Sequence, residues 1–163
     1  MNNFIKAAVI TLTVFMLSGL PASNANASNT DTSNVLEEFT QTMAQHQGKV
    51  VYLDFWASWC VPCRKSFPWM NAMQEKYQQQ GLVVLSVNLD AQKTLAEKFL
   101  QQTPADFAII YDAKGVLAKK FQLKGMPSSY LFNRQGKMIS AHSGFNGKKQ
   151  QKYQQEIELA VSQ

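Results

Sequence analysis

The two cysteines of this chain, Cys60 and Cys63, stand three positions apart, just after an almost unbroken apolar run from Val50 to Trp56. A run that is apolar at nearly every residue reads as a strand buried on both faces, inside a parallel or mixed sheet covered by helices. A Cys-x-x-Cys after such a strand can hold a metal or close into a disulfide. Structural zinc wants four donors, usually with a second cysteine pair or two spaced histidines. Here only His46 and His142 remain; they are far apart in sequence and read as surface residues. The spacing therefore points to a reactive dithiol. As a staple the pair would be badly placed, because closing a loop over two intervening residues removes little chain entropy.

The amino-terminal segment reads as an address. Lys6 and the terminus supply positive charge, Ala7 to Leu20 is apolar, and Ala25-Asn26-Ala27 has the small-x-small form of a cleavage site. The apolar stretch falls short of the ~20 residues that span a bilayer. Leu20 stands where a bacterial lipoprotein would carry its lipid-bearing cysteine. The expectation is a cleaved leader over residues 1–27 and one exported domain over 28–163. In an exporting compartment disulfides persist and glutathione does not set the redox poise.

Charge excludes one class of function. Sixteen basic and eleven acidic residues give +5 over 163 residues, with Lys119-Lys120 and Lys148-Lys149 as the lysine doublets. A nucleic-acid binder would show a basic stripe on a matching module, and neither is present.

Along the chain, residues 28–33 read as a frayed polar tail. Asn34 with Glu37 resembles a capping box opening a short helix, with Leu36, Phe39 and Met43 on one side. After the cysteines a helix runs to Gln80 and stops at Gly81; Met70, Met73 and Tyr77 share its inner face, and Pro68 should bend it. Leu82 to Leu89 is a second strand, Lys93 to Gln102 a helix, Phe107 to Tyr111 a strand, and Val116 to Phe121 a short helix. Ser129–Phe132 and Lys137–Ser140 form a hairpin across Asn133–Gly136, and a last helix begins near Lys148. The order is that of an α/β sandwich with later strands turned antiparallel.

These residues also resemble a known family. Asp54-Phe55-Trp56-Ala57-Ser58-Trp59-Cys60-Val61-Pro62-Cys63 is similar to the active-site segment of the thioredoxin superfamily, and Pro68 falls where that family has its helix-bending proline. Gly125-Met126-Pro127-Ser128 resembles its cis-proline loop. The helix and strand between Lys93 and Tyr111, together with the leader, resemble the TlpA/ResA-type branch of exported thiol-disulfide oxidoreductases. The resemblance implies a thioredoxin-like fold: a central mixed β-sheet flanked by helices, with the TlpA-type helix-strand insertion. It further implies a periplasmic monomer acting on protein disulfides. No cofactor or metal is expected beyond the cysteine pair itself.

Cys60 lies at the junction of strand and helix, where unpaired N–H groups and the helix dipole favour the thiolate that attacks disulfides. It is assigned as nucleophile, and Cys63, one turn on, as the resolving thiol. Asp54 matches the buried acid of thioredoxins, and an apolar enclosure should raise its pKa to suit proton transfer. Where thioredoxins set a lysine near this acid, the strand register puts Ser86. Where ResA-type proteins often have a glutamate after the second cysteine, Ser66 stands. Asp54 is therefore expected to transfer the proton alone. By the resemblance Pro127 is cis, with Trp59, Pro62 and Met126 forming an apolar rim for substrate; Trp56 belongs to the base of the site.

Val61-Pro62 carries no histidine to stabilise the thiolate strongly, which favours a reductase over an oxidant. A reductase in an oxidising compartment must be recharged, which implies a membrane electron donor of the DsbD type. The alternatives are a disulfide oxidant or isomerase, and a non-enzymatic copper carrier using both cysteines as soft ligands. A peroxiredoxin would lack the adjacent second thiol.

Overall fold

The computed structural model describes residues 27–163, so the expected leader lies, apart from Ala27, outside the described residues. The apolar run forms β1 (Val50–Trp56), buried at every residue. It is the middle strand of a five-stranded sheet, which explains its composition: no edge or face of it meets water. β2 (Leu82–Asn88) and β3 (Ala108–Tyr111) extend the sheet on one side in parallel, and β4 (Ser128–Phe132) and β5 (Met138–Ser143) on the other side antiparallel, in the order β3-β2-β1-β4-β5.

Because side chains alternate along a strand, β1 feeds two cores. Val50, Tyr52 and Trp56 point to one, shared with α2 (Val61–Tyr77), α3 (Lys93–Gln102) and α5 (Gly147–Val161). Val51, Leu53 and Phe55 point to the other, shared with α1 (Ala27–Gln45) and α4 (Val116–Lys120). Both cysteines belong to the first core. The expected helix-strand insertion is present as α3 and β3, and β3 adds an edge strand beside β2. Asn133 Oδ1 accepts from the backbone N–H groups of Gln135 and Lys137 and closes the β4–β5 hairpin, with Gly136 at φ 72°. Among the described residues, no helix is long and apolar enough to cross a membrane.

One boundary differs from expectation. α1 begins at Ala27, so residues 28–33 are helical and Asn34 lies inside the helix. Glu37 accepts from the Gln41 side chain instead of reaching back to a cap. Once Leu36, Phe39 and Met43 anchor the helix on the sheet, extending it costs far less than starting it. Hydroxyl residues are tolerated because they can bond back to the preceding turn, as Thr40 does to Leu36 and Thr42 to Glu38.

Candidate active site

The segment between β1 and α2 is pinned before the helix starts. Asp90, itself buried, accepts from the Ser58 backbone N–H at 3.0 Å and the Ser58 hydroxyl at 2.9 Å, and Asn88 donates to it at 2.8 Å. Ser58 and Asp90 are 32 positions apart, which is why sequence spacing did not reveal this clamp. Cys60 then caps α2 in an extended conformation (φ −82°, ψ 102°), and its sulfur accepts from the Cys63 N–H at 3.3 Å. A sulfur at this place receives a helix-terminal donor and the positive end of the dipole. Pro62 sits in the first turn, where a missing N–H costs nothing.

Cys60 and Cys63 are joined in a disulfide with Cα atoms 5.2 Å apart. Cys60 is 6% exposed and Cys63 0%, so the first sulfur is the one a partner can reach. Trp56 forms the floor as expected: it is fully buried, packs edge-on against Phe67 at 4.6 Å, and donates to Ser86 at 3.2 Å. The helix runs on through Pro68 to Tyr77. Ser66, in the place expected for a glutamate, is buried and bonds to the Cys63 carbonyl.

Asp54 lies on the face of the sheet that α2 covers, paired with Ser86 on β2 as the register predicted, and with Ser129 on β4. It is 2% exposed and its Oδ2 has no hydrogen-bond partner. Loss of hydration holds its pKa well above the ordinary carboxylate range. This carboxyl is poised to bind a proton.

The Met126–Pro127 bond is cis. The Ser128 hydroxyl bonds to the Gly125 carbonyl and Gly144 N–H to the Pro127 carbonyl, each at 2.7 Å, so both sides of the loop are tied down. Met126 is half-buried against the core that contains both cysteines. Pro62 is half-buried, while Trp59 is 67% exposed and stands out from the surface.

His142 corrects an expectation. Its side chain is buried, with only 3% exposed, because β5 turns it inward under α5. Nε2 lies 2.6 Å from Glu156 Oε2 and Nδ1 3.3 Å from Ser129 Oγ, which in turn lies 2.7 Å from the Tyr52 hydroxyl. The ring stacks on Tyr153 at 3.9 Å. Burial outweighs the pull of Glu156 and holds the imidazole pKa below its usual value. Burial alone would raise Glu156, but bonds from His142 and Ser140 leave its carboxyl below the usual range. Nothing in the local pattern around His142 signals this cluster. The other histidine, His46, is half-buried in the turn that follows α1, away from this row.

A family model described as AhpC/TSA family matches residues 20–141. Thiol-disulfide oxidoreductase ResA of Geobacillus thermodenitrificans (strain NG80-2) is 31% identical over 109 residues, covering 67% of this chain and 63% of its own. ResA of Bacillus subtilis (strain 168) is 26% identical over 98 residues, 60% of this chain and 55% of its own. The chain thus spans less than two thirds of the length of these curated relatives. Among solved structures, a Chlorobium tepidum chain provisionally named thiol:disulfide interchange protein DsbE is 49% identical. It has a TM-score of 0.72 and covers 73% of this chain and 84% of its own. StoA of Bacillus subtilis is 28% identical with a TM-score of 0.57, over 67% and 84% of the two chains.

Proposed function

The chain belongs to the AhpC/TSA family, and from that premise we propose that it is an exported thiol:disulfide oxidoreductase that reduces protein disulfides through Cys60 and Cys63. The observation that carries this reading is the disulfide at the start of α2, above a sheet face that holds a buried, unpartnered carboxyl. The likeness to ResA and to the DsbE-named chain supports the same chemistry.

In the proposed cycle the Cys60 thiolate attacks one sulfur of a substrate disulfide. A mixed disulfide forms and the other substrate sulfur leaves as thiolate. Cys63 gives its proton to the Asp54 carboxylate and attacks the Cys60 sulfur. The Cys60–Cys63 disulfide re-forms, the second substrate thiolate leaves and takes up a proton, and two electrons have passed to the substrate. Trp59, Pro62 and Met126 would offer apolar surface to the client, with Pro127 shaping the loop beside it. A membrane donor of the DsbD type would return the electrons. The reading includes a leader over residues 1–27 and a periplasmic domain over 28–163, working as a monomer.

The direction is tested by mutual redox titration of the purified domain. A reductase should lie near the thioredoxin end, about −270 mV; a value near −120 mV, typical of a strong oxidant, would reverse the assignment. Copper carriage is the weaker reading, since His142 is engaged by Glu156 and Ser129 and is not free to join the two cysteines as a ligand. A peroxidase reading is weaker still, because a second thiol stands one turn from the first. Insulin reduction measured with and without copper separates carrier from reductase.

A further inference from the structure

Two helix faces meet beside the sulfurs and leave a concave surface that the proposed cycle does not use. On α2, Val61, Arg64 and Lys65 recur at three- and four-residue spacing and are exposed, while Cys63, Ser66 and Phe67 on the other side are buried. On α3, Leu95 and Lys98 are spaced in the same way and exposed, while Ala96 and Phe99 are buried. The two stripes border a hollow of about 180 Å³ lined by Ser58, Arg64, Leu95 and Lys98. Arg64 also lines a second hollow of about 360 Å³, together with Val61 and Lys65. The two adjoin at Arg64 and form one groove, which starts at Ser58, two residues before Cys60.

The groove is positive. Arg64, Lys65 and Lys98 line it, and no carboxylate among the described residues does. The carboxylates closest to it along the chain are committed elsewhere. Asp90 is buried and holds Ser58, and Glu97 lies 3.8 Å from Lys93 on its own helix. Among the described residues, none of the three cations is ion-paired. Arg64 is set in place by packing: its guanidinium carbon lies 5.4 Å from the centroid of the Phe99 ring. Such a stacked guanidinium keeps its fork of N–H donors for a carboxylate. Val61 and Leu95, 62% and 44% exposed, give the same groove an apolar wall at each end. Like charges in a concave, partly apolar surface focus the field and draw an oppositely charged partner.

We propose that this groove seats an acidic client: a segment of protein chain with aspartate or glutamate beside the cysteine that Cys60 attacks. Its carboxylates lie on Arg64, Lys65 and Lys98, and an apolar side chain rests against Val61 or Leu95. The inference rests on the reading of the protein as an oxidoreductase of protein disulfides and names the class of client. A hollow admits a strand of chain, whereas a membrane surface, the other anionic partner such a patch could meet, is flat and needs a protruding one.

The test reads capture instead of turnover. Cys63→Ala leaves Cys60 as the one thiol of the chain. Three synthetic peptides carry one cysteine joined through a disulfide to thionitrobenzoate, and differ only in the two residues on each side of it: glutamate, glutamine or lysine. The Cys60 thiolate attacks the peptide sulfur, the Cys60–peptide disulfide forms, and thionitrobenzoate leaves as a coloured thiolate that reports the rate. Each rate is taken relative to that of 2-mercaptoethanol, an uncharged thiol. At low salt the glutamate peptide should be captured about fivefold faster than the glutamine peptide, and the lysine peptide slowest, with the ratios falling toward one as salt screens them. Adding Arg64→Gln with Lys98→Gln should bring the ratios close to one. Adding Lys119→Gln with Lys120→Gln removes the same charge from α4, behind the sheet, and should leave them in place. Equal rates for the three peptides, or an equal loss from the α4 pair, overturns the proposal. Should the Arg64 variant fail to fold, Lys65→Gln with Lys98→Gln removes two exposed cations and should lower the glutamate preference about twofold; an unmoved preference there overturns the proposal equally. Equal peptide rates, with binding to phosphatidylglycerol vesicles that the groove variants lose, would give the patch to a membrane and overturn it too. Insulin reduction by the parent is read separately: its absence would end the reductase reading and leave the capture rates to decide this one.

Discussion

Asp54 concentrates the chemistry of the site in one side chain. Removing it as a proton acceptor should slow resolution of the mixed disulfide in Asp54→Asn by about a hundredfold, the scale of general base catalysis. The first attack by Cys60 should stay nearly intact. Stopped-flow measurement of the two steps checks this, and equal resolution rates in the two proteins would dismiss the role. The same residue makes stability depend on pH. Its folded pKa is raised by burial, so between the ordinary carboxylate range and that raised value the unfolded chain gives up a proton that the folded protein keeps. The unfolded state then binds fewer protons, and stability falls as pH rises through the window. Asp54→Asn lacks this penalty. Its Tm relative to the parent, both oxidised, should grow by roughly 5 °C from about pH 4 to about pH 8. A difference that stays flat with pH would contradict the burial of a protonated carboxyl. That Asp54 is buried and faces Ser86 was legible from its apolar neighbours and the strand register; that Ser129 stands on its other flank was not, because β4 comes from a distant part of the chain.

α2 is the element that carries both sulfurs, and Phe67 fastens it to the sheet. That side chain is fully buried, with ring centroids 4.6 Å from Trp56, 4.9 Å from Phe99 and 5.4 Å from Phe107. Phe67→Ala should cost about 3–5 kcal/mol, read from the urea midpoint at constant m-value. A loss below 1 kcal/mol would mean that α2 is held in some other way. The inner face of this helix could be read in advance, since Met70, Met73 and Tyr77 recur at helical spacing and are all buried. The start of α1 could not. Thr, Ser and Asn favour caps and turns when judged locally, and only the docking of Leu36, Phe39 and Met43 carries the helix back to Ala27.

For the molecule as a whole, two exposed large apolar side chains mark the end of the sheet where α2 begins. Trp59 and Val61 stand out beside Cys60, at 67% and 62% exposure, while Cys63 is closed off beneath. Cys63→Ala should therefore stall clients as mixed disulfides on Cys60, to be recovered from the exporting cell under non-reducing conditions. Recovery of no adduct, from a protein that still reduces insulin in its parent form, would argue against protein clients. The strand-then-Cys-x-x-Cys order, the alternation of elements and the two cysteines' unequal places follow from the sequence alone, because each depends on neighbours a few positions away. The surroundings of Asp54 were decided only by tertiary structure. Tyr52 meets Ser129 across 77 positions and Ser129 meets His142 across 13, and a buried carboxyl's affinity for its proton is set by what surrounds it in space.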